Sequence, residues 1–577
     1  MYQLLPVIVG LLAPSVASLS VPSAQQLLNS WSSGESSNLC PLATKVEAPD
    51  DGFFSSVKFV TDDAVKSRQV DRLSRAVQVP TAIDDYMKDP YDEKFAPFLE
   101  FHELLQTLFP LLHSHARVDH VNRLGLVYTL NGTDDSLKPI LFLAHQDVVP
   151  INDPADWTYP PFAGHFDGEW LWGRGASDCK NVLIGLLSAV EDLLAQDWQP
   201  TRSVLFAFGF DEESHGFLGA GNISEFLQKK YGPDSFEFIL DEGGMGLETF
   251  SDNNDPNKLA SATDDDDDGV IYALPGVGEK GSIDIVLSLA VPGGHSSVPP
   301  PHTGIGIISE IIYSLERQDL FIPVLDERHP SRQKLECQVR HSPAQVEPWL
   351  AAALRSADHV SLAERLAESR GDKFRFILQT SQAADLVAGG VKSNALPEKI
   401  SALVNYRVAL HQTPQEIQRR AVDLIGPIAR KYNLSVTAFP ANNEVDTSLN
   451  NHLTLTTLSG ALDPAPVSPT DLRTDPVWAR FSGITRAVFE SVPALHGKTV
   501  VVSGDIMTGN TDTRFYWPLT RNIYRWSPSR AGRAVNIHTV DERVGIDAHL
   551  EAIMLYYDLI RSFDAWEGSP DEVSLEL

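Results

Sequence analysis

The chain has 577 residues, more than a single domain usually holds, and 43% of them are hydrophobic, an ordinary share for a folded protein with a large core. Its 77 acidic and 46 basic residues give a formal net charge of −31. This charge argues against binding to nucleic acid, which needs a basic surface, and against attachment to anionic membranes.

The first 18 residues are expected to be a secretory signal peptide. The apolar run from Leu4 to Leu12 is short for a membrane span, and either Ser15-Val16-Ala17 or Val16-Ala17-Ser18 offers a small-residue cleavage site. No basic residue precedes this run, so an uncleaved membrane anchor is the alternative. Three N-glycosylation sequons further along the chain fit the same route, and they lie at Asn131, Asn222 and Asn433.

The chain contains three cysteines, Cys40, Cys179 and Cys337, which is too few for a disulfide framework or a thiolate cluster. One disulfide bond is compatible with this count, and at least one cysteine is then left free or paired between molecules. The spacing of the cysteines does not indicate which two would pair.

Residues 19–95 are expected to be an extended or partly helical arm, and residues 96–279 the first part of an α/β catalytic domain. Hydrophobic runs predict buried strands that alternate with helices, as in a mostly parallel sheet. The predicted strands cover residues 123–130, 139–150, 203–210 and 236–240, and the predicted helices cover 98–113, 181–194 and 216–227.

Residues 280–440 predict a second, α+β domain inserted into the first. Strands at 281–292, 399–410 and 434–439, with helices at 302–315 and 413–431, fit the β-α-β-β-α-β order of a ferredoxin-like fold. Residues 441–577 are expected to return to the catalytic domain, with a helix at 476–490, a strand at 499–503 and a closing helix at 545–563.

Histidine and carboxylate side chains follow three of the predicted strands. His145 and Asp147 end one strand and point to the same side, while Glu212 and Glu213 follow the second strand and Asp241 the third. Ligands of open α/β sheets bind at this carboxyl edge. His-x-Asp alone is equally compatible with a strand-end histidine that is hydrogen-bonded to an aspartate.

Eight short motifs, in a fixed order along the chain, together indicate one protein family. The chain resembles the M20 family of co-catalytic zinc peptidases and amidohydrolases, over residues of about 100 to 570. The motifs are HQD at 145–147, GRGASDCKN at 173–181, DEESHGFLGA at 211–220, LDEGG at 240–244, PGGHSSVPPPHT at 292–303, SNALPE at 393–398 with NYR at 405–407, GNTDTRFY at 509–516 and NIHTVDER at 536–543.

The resemblance implies that each chain binds two zinc ions, and it assigns the residues that would bind them. His145 and Asp241 would bind one zinc, Glu213 and His538 would bind the other, and Asp178 would bridge both. Histidine and carboxylate ligands without cysteine are chemically suited to a hydrolytic zinc pair that keeps an open position for water.

The resemblance also implies the catalytic roles. Glu212 would be the general base, Asp147 would hold His145 in place, and His295 would hydrogen-bond the carbonyl oxygen as it becomes an oxyanion. Adjacent Glu212 and Glu213 cannot point the same way on an extended backbone, so one base and one ligand is a sensible division.

Three residues beside the expected ligands have less specific interpretations. Cys179 is expected to be structural, because no step of this chemistry needs a thiolate, and the resemblance implies a cis peptide bond between Asp178 and Cys179. Glu242 and Asp211 are expected to support the ligands or to face solvent rather than to act in catalysis.

Substrate recognition is expected in the inserted domain. Asn394 and Arg407 match family residues that bind the free carboxylate of the substrate, and the backbone around Gly509 is expected to help. The expected function is therefore a zinc carboxypeptidase that acts on small peptides of the Gly-Xaa type. An N-acyl-amino-acid amidohydrolase of the same family is the close alternative, and a catalytically inactive binding protein on the same fold is a third.

The resemblance carries further expectations about movement, assembly and compartment. Substrate-binding residues on a separate domain imply hinge closure over the substrate. In some family members the inserted domain forms a homodimer, so dimerisation is one expectation for this chain. The family resemblance suggests a vacuolar lumen, whereas a cleavable leader suggests secretion.

Overall fold

The computed structural model describes residues 39–84, 87–250, 269–317, 320–441, 450–568 and 575–576. The expected signal peptide lies outside these residues. Within the described part, every helix is too short or too polar to cross a bilayer. The fold has two parts, a catalytic domain and an inserted domain that we call the lid domain.

The catalytic domain is built on an eight-stranded sheet, which we call the catalytic sheet. Its four adjacent central strands run parallel, and antiparallel pairs occur on both sides of them. The strands lie in the order Arg117–Val121, Gly125–Leu130, Val204–Gly209, Ile140–His145, Ile239–Asp241, Ile523–Arg525, Gly276–Glu279 and Asp505–Met507.

Helices cover both faces of this sheet, which explains why its strands read as continuous apolar runs. Phe142 faces one hydrophobic core together with the helices Lys180–Leu194 and Ile546–Asp564, here called the central helix and the closing helix. Leu141 and Leu143 face the opposite core, against the helix Ala220–Tyr231. The expected α/β fold with a largely parallel centre is confirmed.

The described part of the expected N-terminal arm is packed against this domain. Its helix Asp63–Gln78 begins at Asp62, whose side chain accepts hydrogen bonds from two backbone amides of the first turn. Phe59, Leu73 and Val77 are buried in the main core of the catalytic domain. The remaining helices of the catalytic domain are Lys58–Thr61, Ala96–Leu108, Pro110–His115 and Pro476–Ser491.

Short strands complete the catalytic domain. A three-stranded sheet contains Thr499–Val502, Val270–Ala273 and Leu247–Glu248, and a four-stranded sheet contains Ala534–Val535, Arg543–Gly545, Trp170–Trp172 and His165–Phe166. The strand Leu42–Ala43 pairs with Leu575–Glu576. Short 3-10 helices lie at Glu93–Phe95, Pro154–Asp156, Glu212–Ser214, Pro493–Leu495, Asp512–Phe515 and Trp517–Leu519.

The lid domain has a five-stranded sheet, which we call the lid sheet, with the helices Gly304–Glu316 and Pro414–Lys431 packed in its core. Its strands lie in the order Ser381–Gly389, Lys399–Val408, Gly281–Ala290, His452–Leu462 and Ser435–Ala438. The topology is ferredoxin-like, but its last strand is His452–Leu462 and not the expected strand at 434–439; Ser435–Ala438 is instead added at one edge. A two-stranded ribbon, Gly294–His295 with Ala395–Leu396, extends from the lid sheet.

Two features of the lid domain differ from the expected boundaries. The strand His452–Leu462 pairs with Gly281–Ala290, so the lid sheet includes residues beyond the expected limit at 440. A helical segment also separates the first lid helix from the strand Ser381–Gly389, and it forms a small core with Ile506 of the catalytic domain. Its helices are Pro330–His341, Leu350–Ala353, His359–Arg370 and Asp372–Leu378.

Two of the three cysteines form a disulfide bond. Cys40 near the N-terminus is bonded to Cys337 on the helix Pro330–His341, with the sulfur atoms 2.06 Å apart. Cys179 is free and buried. This pairing joins the N-terminal arm to the helical segment, across a separation of 297 residues that the sequence pattern did not reveal.

Candidate metal centre and active site

A first group of side chains meets where two parallel strands of the catalytic sheet end. His145 is the last residue of its strand, and its Nε2 atom lies 3.1 Å from Asp178 Oδ1 and 3.1 Å from Glu242 Oε1. Glu242 directly follows the strand Ile239–Asp241. Nitrogen and carboxylate oxygen at this spacing form a group that could hold a metal ion.

A second group shares Asp178 with the first. His538 Nε2 lies 3.1 Å from Asp178 Oδ2 and 3.1 Å from Glu213 Oε2. Asp178 therefore presents one carboxylate oxygen to each histidine, as a residue that bridges two metal ions would. The side chain of His538 is 51% exposed, whereas that of His145 is 1% exposed, so the second group lies closer to solvent.

The carboxylate beside His145 belongs to Glu242 and not to the expected Asp241. Asp241 is the last residue of its strand, and its side chain is buried, with Oδ1 accepting a hydrogen bond from the backbone amide of Glu242. The charges nearest to it include Glu279 and Arg525, which are also buried. Consecutive side chains on an extended backbone point in opposite directions, so Asp241 and Glu242 cannot both face His145.

Asp147 is fully buried and contacts both His145 and the backbone of Glu213, so it helps to hold them in position. Its Oδ2 atom accepts a hydrogen bond of 2.9 Å from the backbone amide of Glu213, and its Oδ1 atom lies 3.4 Å from His145 Nδ1. The same Nδ1 atom is 2.9 Å from the backbone carbonyl of Asp147. A proton held on Nδ1 leaves Nε2 free to bind a metal. In metal-bound histidines, the ring nitrogen that does not bind the metal usually donates a hydrogen bond in this way.

Glu212 begins the 3-10 helix Glu212–Ser214 and lines the pocket beside both groups. It belongs to neither potential metal-binding group among the described residues. Burial raises the pKa of its carboxyl well above the usual value. A carboxylate next to the metal positions, but outside both sets, is placed as a general base needs to be.

Hydrogen bonds and burial shift the pKa values of the acidic and basic groups at the centre away from their usual values. Burial acts to raise the pKa of Asp178, but hydrogen bonds from His145 and His538 outweigh it and lower that pKa below its usual value. Hydrogen bonds from His538 to Asp178 and Glu213 raise the pKa of His538 to about 10, and burial raises that of Glu213 to about 7. The pairs therefore hold protons that a bound metal ion would displace.

Cys179 belongs to the first group, because its sulfur lies within 4.8 Å of the ligand atoms of His145, Asp178 and Glu242. The peptide bond between Asp178 and Cys179 is cis, as the family resemblance implied. The thiol is buried, and burial raises its pKa, so it stays protonated. Its sulfur accepts a hydrogen bond of 3.3 Å from the backbone amide of His145, which fits a structural role at the end of the strand.

Sequence reasoning missed Glu542, which holds the segment that carries Asp178. This fully buried carboxylate accepts hydrogen bonds from the backbone amides of Gly175, Ser177 and Asp178 at 2.9–3.1 Å, and from Arg174 at 2.6 Å. The feature of the sequence that could have pointed to Glu542 is its position four residues after the expected ligand His538, within the same motif. Because Glu542 binds three backbone amides within residues 175–178, it fixes where Asp178 lies.

Asn510 links the lid domain to the catalytic domain, and sequence reasoning also missed it. Its Oδ1 atom accepts a hydrogen bond of 2.8 Å from Arg407 on the lid sheet, and its Nδ2 atom donates one of 2.6 Å to the carbonyl of Lys280. Asn510 also lines the pocket, and the exposed Gly509 precedes it. The expected carboxylate-binding residue Arg407 therefore lies next to the pocket.

The structure places His295 and Asn394 together, but on an exposed part of the lid domain. Their segments are joined by the hydrogen bond from the Ser296 amide to the Asn394 carbonyl, at 3.3 Å. The His295 ring contacts the hydroxyl of Ser297 at 2.7 Å. Neither His295 nor Asn394 lines the pocket that contains Asp178 and His538. The other expected residues surround the centre or, like Arg407, adjoin its pocket.

Comparisons with known proteins identify the family of the chain. A model of peptidase family M20/M25/M40 matches residues 141–562. The chain is 36% identical to Carboxypeptidase S of Saccharomyces cerevisiae over 535 residues, which cover 90% of this chain and 88% of the relative. It is 30% identical to the human N-fatty-acyl-amino acid synthase/hydrolase PM20D1 over 537 residues, covering 91% and 94%. The fold also matches human carnosine dipeptidase 1, with a TM-score of 0.57 and 12% identity over 90% of this chain and 100% of that chain.

Proposed function

We propose that this chain, which belongs to peptidase family M20 and is a metallocarboxypeptidase, uses two zinc ions. With them it would remove the C-terminal residue from small Gly-Xaa peptides. The observation that carries this proposal is the carboxylate of Asp178, which presents one oxygen to His145 and the other to His538. A shared carboxylate between two sets of ligands is what a two-metal hydrolase requires.

The residues present fit a zinc pair. His145 and Glu242 would hold one ion, Glu213 and His538 the other, with Asp178 between them; Glu242 replaces Asp241 in this set because of its position. Two histidine nitrogens and carboxylate oxygens suit zinc, and the neutral thiol of Cys179 is not needed. When bound, such an ion pair supplies Lewis-acid chemistry and lowers the pKa of a shared water.

The protein's own residues would move the proton and orient the site. Glu212 would accept a proton from the attacking water and later donate it to the leaving amine. The raised pKa of Glu212 favours a group that can hold this proton between the two steps. Asp147 would keep the His145 ring and the Glu213 backbone in place through the contacts already described.

The lid domain would recognise the free carboxylate of the substrate. Arg407 has a planar guanidinium group that can donate two parallel hydrogen bonds to a carboxylate, and Asn510 holds it beside the pocket. Recognition of a terminal carboxylate makes the enzyme an exopeptidase. His295 would stabilise the oxyanion, and Asn394 would add a carboxylate contact. Both require the lid domain to move towards the pocket, because both are exposed here.

A second candidate function is the hydrolysis of N-acyl amino acids. It would use the same metal ligands and the same Arg407, and the 30% identity to the human N-fatty-acyl-amino acid synthase/hydrolase favours it. The higher identity to Carboxypeptidase S, at 36%, favours the peptidase function over this second candidate. The two functions differ in the group that lies on the acyl side of the cleaved bond.

We place the enzyme in the secretory pathway, in a vacuolar lumen or outside the cell. The bond between Cys40 and Cys337 supports an oxidising compartment. Asn131 and Asn433 are exposed and so are suited to carry glycans. Asn222 is less suited, because its side-chain amide donates hydrogen bonds to the carbonyls of Phe217 and Leu218.

A homodimer through the lid domain is part of the proposal. The strand Ser381–Gly389 is an edge of the lid sheet, and Leu386 and Val387 on it are 64% and 61% exposed. An exposed edge with apolar side chains is a template for pairing with another strand. Sedimentation of the wild-type protein, compared with a Leu386→Lys variant, tests this arrangement.

Metal analysis combined with a hydrolysis assay tests the central proposal. We expect about two zinc ions per chain, activity on a blocked Gly-Leu dipeptide that is lost on chelation, and recovery when zinc is added. Stoichiometric zinc with turnover of N-acyl amino acids alone would establish the second candidate. Activity that is indifferent to chelators would refute the metal centre.

A further inference from the structure

The proposed general base and a neighbouring metal ligand lie on one short loop, residues 211–219, which we call the base segment. Its 3-10 helix Glu212–Ser214 ends at His215, whose φ of 87° lies in the left-handed region, and Gly216 follows with a φ of 68°. The left-handed region is strained for a residue with a side chain. Within the segment, the Asp211 carboxylate accepts hydrogen bonds from two later backbone amides at 2.6 and 2.7 Å. These bonds close the loop, whereas the carbonyl of the strained His215 is bonded from outside the segment.

Arg514 provides that outside bond and a stacking contact at the same point. Its Nη2 atom donates a hydrogen bond to the His215 carbonyl. Its Cζ atom lies 4.9 Å from the ring centroid of Phe217, in the base segment, and 4.7 Å from that of Phe515. The two rings contact each other edge to face, with their centroids 5.5 Å apart. A planar guanidinium can donate hydrogen bonds at its edge while its faces stack on rings, a geometry that a lysine ammonium lacks.

The glycine at position 216 allows the loop that carries Arg514 to approach the base segment. A Cβ atom at Gly216 would collide with the Asp512 carboxylate and would come within 3.0 Å of the Phe515 ring. The base segment and the 3-10 helix Asp512–Phe515 therefore pack directly against each other at this point.

The loop that carries Arg514 is itself fixed by a buried ion pair. Glu279 and Arg525 are both fully buried and lie 3.0 Å apart. The Thr511 hydroxyl donates a hydrogen bond of 2.7 Å to Glu279, and Arg525 donates one of 2.7 Å to the Thr513 hydroxyl. A buried network in which charges and hydroxyls are paired is rigid. Arg514 therefore extends from a firm support, as a side chain that holds a second loop in place requires.

The contacts of the base segment separate the base from the metal ligand. The backbone amide of Glu213 is held independently of Arg514, by its hydrogen bond to the buried Asp147 carboxylate. Glu212 begins the same short helix, and its carboxylate is among the charges that act on Arg514. Loss of Arg514 should therefore leave the metal ligands in place and release the base.

We infer that Arg514 is a positioning residue, which holds the base segment so that the Glu212 carboxylate faces the attacking water. The inference rests on the proposed function, because it requires Glu212 to be the base. The described lining of the pocket does not include Arg514, so Arg514 acts through Glu212 and not on the substrate. A displacement of about 1 Å at a catalytic group costs a factor on the order of 100 in rate.

Arg514→Ala in the zinc-loaded full chain tests this inference, with the blocked Gly-Leu dipeptide as substrate. We expect kcat to fall by a factor of about 10 to 100 and KM to change by less than about twofold, because carboxylate binding at Arg407 is unaffected. Zinc content should stay at the wild-type value. Millimolar methylguanidinium should restore kcat of this variant at least about fivefold, because the ion can occupy the space between the two rings. Arg514→Lys should retain more activity than Arg514→Ala.

Phe217→Ala removes an exposed ring and tests the same contact without disturbing the core. It should lower kcat about threefold or more, and combining it with Arg514→Ala should cost little further, because both changes break one contact. The matched control is Arg365→Ala, an exposed arginine whose Cζ atom lies 4.0 Å from the Trp349 ring centroid in the helical segment. It should keep wild-type kinetics and should not respond to methylguanidinium.

Two results would overturn the inference. One is a wild-type kcat in folded Arg514→Ala, and the other is a loss of activity accompanied by loss of zinc and not restored by methylguanidinium. Thermal unfolding reports whether each variant folds. Zinc-loaded wild-type protein that does not turn over the dipeptide would refute the proposed function itself, before any variant is compared.

Discussion

The catalytic domain and the lid domain hold their functional residues in different ways. Asp147 and Glu542 are fully buried in the catalytic domain, and each accepts a hydrogen bond from the backbone amide of a proposed ligand, Glu213 and Asp178 respectively. In the lid domain, His295 and Asn394 are exposed, and their described contacts are with neighbouring lid residues. Metal ligands must lie within a few tenths of an ångström of their positions before any substrate arrives, whereas lid residues need to reach the substrate only after closure.

Glu212→Gln is expected to produce the largest effect, because it removes the proposed proton acceptor while keeping the shape of the side chain. Turnover should fall by a factor on the order of a thousand, with both zinc ions retained. Steady-state kinetics and metal analysis measure the two quantities. The matched control is Glu225→Gln on the exposed face of a helix. A variant with normal turnover would show that Glu212 is not the base.

Glu242→Ala compared with Asp241→Asn decides which carboxylate binds the metal beside His145. We expect Glu242→Ala to weaken zinc binding by a factor of about 100, because it removes a ligand, whereas Asp241→Asn should keep zinc at both positions. Metal content after dialysis distinguishes them. Loss of zinc in the Asp241 variant alone would restore the assignment made from the sequence.

The affinity for zinc should depend on pH because metal binding displaces protons from the catalytic domain. In the metal-free protein the pKa of His538 is raised to about 10 and that of Glu213 to about 7. Below these pKa values the groups are protonated, so zinc must displace their protons and its affinity falls as the pH falls. Competition with a chelator should show affinity increasing at least about tenfold between pH of about 6 and about 8. An affinity that does not change over this range would contradict the prediction.

Asn510→Ala tests the link between the two domains and should have a smaller effect. It removes the hydrogen bond to Arg407, so KM for a peptide with a free carboxylate should rise about tenfold, with a smaller change in kcat. A substrate whose C-terminus is an amide should be affected less. Equal changes for both substrates would show that Asn510 does not act through carboxylate recognition.

Much of the fold followed from local patterns. The buried strands of the catalytic sheet are covered on both faces, so they read as uninterrupted apolar runs such as Ile140–His145. The central and closing helices begin and end within about two residues of the predicted limits, as expected for long periodic segments. The strand His452–Leu462 was missed because its place in the lid sheet depends on pairing with Gly281–Ala290, far away in the chain.

By itself, the sequence determined the fold class, the family, and the histidines and carboxylates that the strand ends bring to one edge of the sheet. Only the tertiary structure decided between Asp241 and Glu242, because the direction of each side chain depends on the backbone where the strand ends. It also decided the pairing of Cys40 with Cys337 and the supporting contacts of Glu542 and Asn510. These features join residues distant in sequence, and local periodicity carries no information about which distant groups meet.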